Sequence, residues 1–280
     1  MKIANMDDKV CVITGANTGI GQYTALALAQ AGAHVVLASR SRERTQPVLD
    51  EIAAKAGADK VSFVALDLNS LASVRAAAAE ILEQQPRIDV LVNNAGVGGA
   101  HGLTDDGFEQ HFGINHLGHF LLTELLLDRI RASAPSRIVT VSSRAHYRAR
   151  HIDFDKLKSP TKSVSGMPEY QVSKLANVLF SVELDRRLKG SGVSTYALHP
   201  GVVASDIWRT VPALVRPLIK LFMITSEEGA YTSLHCASAP EVQDQSGLYW
   251  DRCKTKKASR PAHDEQLAAE LWRRSEQWVH

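Results

Sequence analysis

"VCVITGANTGIGQYTALALAQAGAHVVLAS" (residues 10–39) contains no Asp, Glu, Lys or Arg. A stretch of that length could cross a bilayer. Its centre argues against a span, because Thr14, Gly15, Asn17, Thr18, Gly19, Gly21 and Gln22 interrupt the apolar run. A better division is a β-branched strand (10–14), a glycine turn ending at residue 21, an Ala/Leu-rich helix (22–33) and a second apolar strand (34–39). Strands covered on both faces are continuous apolar runs of this kind. The stretch therefore predicts the first right-handed βαβ unit of a parallel sheet.

The alternation continues downstream. Strand-like runs recur at 61–66, 88–94, 137–143, 193–199 and 247–251, and helical stretches at 44–57, 70–85, 105–131 and 168–189. The segment "LWRRSEQW" (271–278) predicts a further helix anchored by Trp272 and Trp278. Helices between buried strands imply an α/β fold: a single-domain, doubly wound (Rossmann) and mostly parallel sheet with helices on both faces. No internal repeat or Pro/Gly-rich linker divides residues 1–280, so one domain is expected.

Composition narrows the function classes. Apolar residues at 45% and charged residues at 22% suit a water-soluble globular chain. A net charge of +2 offers nothing to draw in nucleic acid or an anionic membrane, and neither is expected as a partner. Cys11, Cys236 and Cys253 are far apart in sequence, which argues against a disulfide framework or a zinc site and for a reducing compartment. "MKIANMDDK" (1–9) carries acids where a signal peptide needs an apolar core, so a cytoplasmic location is expected.

In doubly wound sheets, ligands bind beyond the carboxyl ends of the strands. "TGANTGIG" (14–21) lies there, between the first strand and the first helix. Gly15, Gly19 and Gly21 let the chain turn tightly and let a pyrophosphate approach the backbone, while the helix start offers free N–H groups. The spacing is G-x-x-x-G-x-G; a tight turn without a ligand would also need glycine. At the end of the second strand an acid would bond the ribose hydroxyls, and an Arg would accommodate a 2′-phosphate. The chain has Ser39 and Arg40 there, with Arg42 and Arg44 close by and no carboxylate before Glu43. That favours NADP(H) over NAD(H), unless these arginines are only solvated helix-start residues.

"EYQVSKLANVLF" (169–180) places Tyr170 and Lys174 one helical turn apart among apolar residues. A cation beside a phenol favours the phenolate and lowers its pKa, which suits a general acid/base near neutral pH. An exposed polar stripe on an amphipathic helix is the alternative.

Several motifs, in order, resemble the short-chain dehydrogenase/reductase family from about Lys9 to Gly201: "TGANTGIG", "NNAG" (93–96), "INHLG" (114–118), "VSSRA" before "YQVSK", and "HPGVVASD" (199–206). "DGFEQHFGINHLGHFLLTELLL" and "YQVSKLANVLF" look closer to its retinol dehydrogenase-like branch, as does the 27-residue step from Ser143 to Tyr170. The resemblance implies Tyr170 as acid/base and Lys174 on the nicotinamide ribose. It also implies Ser143, rather than its neighbour Ser142, on the substrate oxygen, and Asn115 holding a water that links Lys174 to solvent. Asn115 could equally kink its helix by bonding backbone. The implied cofactor set is Gly15, Asn17, Thr18, Gly19, Ile20, Gly21, Ser39, Arg40, Asp67, Leu68, Asn94, Ala95, Gly96, Tyr170, Lys174, Pro200, Gly201 and Val203. Asp67 would contact adenine, or would cap the helix that starts near Ser70. A homodimer or homotetramer is expected from the resemblance alone.

His111, His116 and His119 share one predicted helix, but no H-E-x-x-H pattern accompanies them and no metal is expected. Tyr147 is a candidate for the substrate site or for packing in the long loop. "VPALVRPLIKLFMI" (211–224) is apolar apart from Arg216 and Lys220, and predicts a greasy lid within residues 203–225. Such a lid suits a lipophilic alcohol, aldehyde or ketone; the segment could instead touch a membrane surface with its basic residues, or pack on the core or a neighbouring subunit. The expected activity is hydride transfer between such a substrate and NADP(H). The competing readings are a non-catalytic NADP(H)-binding sensor, and a C=C reductase or sugar epimerase using the same Tyr/Lys pair.

Overall fold

The computed structural model describes residues 3–201 and 224–280. The expected lid and Val203 therefore lie outside the described residues, apart from Ile224 and Thr225. Eight strands among the described residues form one sheet in the order β3-β2-β1-β4-β5-β6-β7-β8. They are β1 (Val10–Thr14), β2 (His34–Ser39), β3 (Val61–Ala65), β4 (Val90–Asn93), β5 (Ser136–Val141), β6 (Val193–His199), β7 (Leu248–Asp251) and β8 (Lys254–Thr255). All neighbours pair in parallel except β7 and β8, which form an antiparallel hairpin at the sheet edge. The central strands β1, β4 and β6 are buried along their whole length, including polar residues such as Thr195 and Asn93, as strands covered on both faces are.

The helices are α1 (Gly19–Gln30), α2 (Arg42–Ala56), α3 (Leu71–Gln84), α4 (Gln110–Phe112), α5 (Gly118–Ala132), α6 (Met167–Arg187), α7 (Ser226–Ser238) and α8 (Glu265–Val279). One apolar cluster joins α1, α2 and α7 to one face of the sheet through residues such as Ile13, Leu28, Leu37 and Ile52. The other joins α3, α5, α6 and α8 to the opposite face through Ile81, Leu121, Leu126, Leu179 and Trp272. Both faces are thereby covered, the doubly wound arrangement expected from the sequence. Strand order reverses between β1 and β4, so the crevice at the strand carboxyl ends opens there.

The stretch 105–131 is not one helix. Asp105-Asp106-Gly107 makes a turn, with Gly107 at φ +80° and its N–H donating to Thr104 O at 2.9 Å. Helical structure starts only at Gln110, and a π turn (Gly113–Leu117) separates α4 from α5. α7 was not expected from the sequence; Thr225 and Glu228 form a reciprocal capping box at its start.

Candidate active site

The glycine turn has the shape an anion site needs. Gly15 and Gly19 have φ of +64° and +59°, a left-handed conformation other residues adopt at a cost. A Cβ on Gly21 would sit 2.5 Å from Asn94 Nδ2 and 2.6 Å from Gly15 O. The N-cap of α1, Thr18, makes no side-chain capping bond, and the first turn holds no acid. Its backbone donors are thus left for a ligand at the switch point, beside Asn17 and Ile20. These features fit a dinucleotide pyrophosphate.

Thr14, at the end of β1, connects this turn to the "NNAG" segment. Its hydroxyl accepts from Asn94 N and Ala95 N, each at 2.9 Å, and lies 2.9 Å from His119 Nε2. The Asn94 amide donates to Thr14 O at 2.8 Å. His119 Nδ1 faces the Asn115 carbonyl at 3.1 Å. A carbonyl can only accept, so Nδ1 carries the proton and Nε2 accepts from Thr14. Burial keeps that ring neutral, lowering its pKa to about 4. Neither Thr14 nor His119 is among the site residues expected from the sequence, although the four-residue step from Asn115 to His119 is a signal for it.

Asn115 occupies the π turn, where the extra residue in the turn breaks the regular helical bonding. Its Oδ1 accepts from Val97 N at 2.8 Å, and its Nδ2 donates to Val97 O at 3.0 Å and Ser173 Oγ at 2.9 Å. The side chain therefore pins the loop after β4 to α6, the backbone-bonding reading of this residue. A Cβ on Gly96 would meet Asn115 Oδ1 at 3.1 Å and Lys174 Nζ at 3.4 Å, so the loop passes directly over both.

β5 ends at the two serines. Ser142 is buried and donates to Lys174 O at 2.7 Å, while Ser143 is half-buried beside Tyr170. Neighbouring extended residues point to opposite sides, and only the second serine faces the phenol. Burial holds the Tyr170 phenol above its ordinary pKa, and the Ser143 hydroxyl partly offsets this. Burial, rather than the Lys174 charge, sets the direction of that shift, contrary to the charge-pair expectation. Its Nζ lies 5.7 Å from the Tyr170 ring centre and donates to Val141 O at 3.0 Å. Burial lowers the lysine itself to about 8.

The remaining expected contacts divide. The Ser39 hydroxyl is buried and engaged with Thr45 Oγ1 at 2.6 Å, whereas Arg40 next to it is exposed. Asp67 does not cap α3: Ser70 does, accepting from Ser73 N at 3.4 Å, and Asp67 Oδ1 accepts from Asn69 N at 3.0 Å in the preceding turn. Leu68 is buried against Gly118 of α5. Gly201, after Pro200, has φ +102°, and a Cβ there would lie 2.2 Å from Ile224 Cδ1. Tyr147 packs edge-on against Tyr249, and its hydroxyl donates to Lys257 O at 2.6 Å.

Residues 9–152 match the family model of the short chain dehydrogenases. Human retinol dehydrogenase 13 is 45% identical over 285 aligned residues, covering 99% of this chain and 86% of that protein. Human retinol dehydrogenase 11 is 47% identical over 267 residues, with 94% and 83% covered. Among solved structures, a protein from Mycobacterium paratuberculosis matches with a TM-score of 0.80 at 35% identity, covering 99% of this chain and 96% of its own. A short-chain type dehydrogenase/reductase from Mycobacterium marinum matches with a TM-score of 0.68 at 26% identity, with 88% and 94% covered. The chain therefore belongs to the short-chain dehydrogenase/reductase family, on its retinol dehydrogenase-like branch, and is an oxidoreductase that works with a nicotinamide cofactor.

Proposed function

We propose that the protein interconverts lipophilic alcohols with their aldehydes or ketones, using NADP(H). The observation that carries the reading is the meeting of Ser143, at the end of β5, with Tyr170 and Lys174 on α6, beside the uncapped start of α1. When bound, the nicotinamide supplies or accepts the hydride at the substrate carbon. In reduction, Tyr170 gives its proton to the substrate oxygen as charge builds there; in oxidation its phenolate takes one. Ser143 donates a hydrogen bond to the same oxygen and stabilises that charge. Lys174, with its depressed pKa, takes or returns protons near neutral pH behind Tyr170, and Asn115 keeps the loop carrying Gly96 against it. Similarity to proteins named retinol dehydrogenases supports a large apolar substrate. The exposed Arg40, with no acid near it before Glu43, supports the phosphorylated cofactor.

A panel of aliphatic, aromatic, steroid and retinoid carbonyls assayed with NADPH and NADH tests this. Tyr170→Phe should lower turnover by about 10²- to 10⁴-fold while the protein still binds NADPH. Undiminished turnover in Tyr170→Phe rejects the acid/base assignment. A preference for NADH of about tenfold or more rejects the role given to Arg40.

A further inference from the structure

Glu109 and His111 are both buried, at 4% and 0% exposure, and the proposed chemistry uses neither. Three donors converge on the Glu109 carboxyl: His111 Nδ1 at 2.8 Å and Thr161 Oγ1 at 2.6 Å on one oxygen, and Phe112 N at 2.9 Å on the other. That donor set suits a carboxylate, which can only accept. His111 Nε2 accepts from Ala100 N at 3.2 Å, so the ring carries its proton on Nδ1 and gives it to Glu109.

These bonds gather three separate pieces of chain. Ala100 belongs to the loop after β4, Thr161 to the long segment between Ser143 and α6, and the pair itself to the start of α4. The Glu109 backbone adds a second tie to the long segment, its N–H donating to Leu157 O at 2.8 Å. Gly166, the N-cap of α6, packs against the ring beside Ala100. It holds φ +64°, and a Cβ there would lie 2.9 Å from His111 Cε1. Gly166 O then accepts the Tyr170 N–H at 2.9 Å, and the His111 ring meets the Tyr170 ring edge-on at 6.1 Å.

We propose that Glu109 and His111 form a positioning pair. Glu109 fixes the tautomer and angle of His111, and His111 sets the place of the Tyr170 phenol by clamping the loop after β4 and the start of α6 around it. Neither residue transfers a proton to substrate. The inference rests on Tyr170 being the acid/base, and it extends that reading to the shell that aims the phenol.

The test compares Glu109→Gln, His111→Gln and His111→Asn with wild type. The Gln side chain at 111 can reach Ala100 N but loses the bond to Glu109; the Asn side chain places its amide donor near the Nδ1 position and keeps that bond. Steady-state kinetics would use NADPH and whichever panel carbonyl the wild type reduces fastest. NADPH binding by fluorescence and hydrogen exchange of residues 97–104 and 159–170 would be measured alongside. Glu109→Gln and His111→Gln should lower kcat by about 10- to 100-fold, the scale of a misplaced reacting group, with NADPH affinity unchanged and both segments exchanging faster. His111→Asn, which keeps the bond to Glu109 but loses the tie to Ala100 N and the ring beside Tyr170, should lose at least as much kcat as His111→Gln. The proposal is overturned if folded Glu109→Gln and His111→Gln keep wild-type kcat, or if folded His111→Asn keeps it. If Glu109→Gln does not fold, the two His111 variants decide. A Tyr170→Phe variant with full turnover would reject the acid/base reading itself. An inactive Tyr170→Phe beside fully active pair variants would reject the positioning role alone.

Discussion

The Lys174 ammonium and the Val141 carbonyl are joined by a hydrogen bond of 3.0 Å, and Asn177 Nδ2 donates to the same oxygen at 3.1 Å. The charge is thus anchored to the end of β5, buried, with a neutral partner. Desolvation, rather than attraction to the phenol, dominates its protonation, and its pKa falls to about 8.

Lys174→Met should therefore abolish turnover yet stabilise the cofactor-free protein. The unfolded lysine titrates near 10.5 and the folded one near 8, so the folded state binds its proton less tightly. Below pH 8 the buried charge costs stability, and that penalty disappears as pH rises toward 10.5. At pH 7 the variant should gain on the order of 1–3 kcal/mol, since Val141 O keeps its bond from Asn177. Urea denaturation at pH 7 and pH 10 checks both the gain and its shrinkage; a variant less stable than wild type at pH 7 contradicts it.

The two serines should separate by phenotype. Ser142→Ala removes a buried bond to Lys174 O and should cost about 1 kcal/mol of stability with turnover nearly intact. Ser143→Ala should lower kcat by about 10²- to 10³-fold with little change in melting temperature. Kinetics and thermal melts on both variants decide; the reverse pattern exchanges their roles.

Gly21→Ala should damage folding and cofactor binding together. The new methyl would meet the Gly15 carbonyl at 2.6 Å, a backbone atom that can retreat only by distorting the turn. A loss of about 1–3 kcal/mol is expected, with weaker NADPH binding. Melting temperature and fluorescence titration measure the two, and an unchanged dissociation constant would count against the turn as the pyrophosphate site.

Acid sensitivity should trace to buried histidines. Burial lowers His116 to about 3 and His119 to about 4, against 6.5 in the unfolded chain. Below pH 6.5 the unfolded chain takes up protons that the folded core refuses, so stability falls as pH drops toward 4. In His116→Leu the denaturation midpoint should fall less steeply between pH 7 and 4.5. Parallel slopes for variant and wild type would exclude His116 as a source.

The first βαβ unit and α6 were legible because strand and helix periods, glycine positions and motif order all agreed there. The site was less so. That Tyr170 and Lys174 share a helix face is a matter of spacing, but the direction of each pKa shift depends on burial, which spacing does not show. Asp67 looked like a cap because acids favour that position; Ser70, also a good cap, took it. The π turn at Asn115 depends on Val97 and Ser173, distant residues that satisfy its amide. Asp105-Asp106-Gly107 was a readable turn signal that a long apolar pattern obscured. Thr225-Ser226-Glu227-Glu228 was a readable capping box as well.

The helix α8 has a consequence for how the protein is made. Trp272 stacks on Phe180 at 5.8 Å and meets Phe120 edge-on at 4.9 Å, while Trp278 closes on Phe112 at 5.7 Å. Those phenylalanines lie on α4, α5 and α6, all synthesised far earlier. Until the ribosome delivers α8, a nascent chain must carry that aromatic face bare, exposed to chaperones and to association with its neighbours.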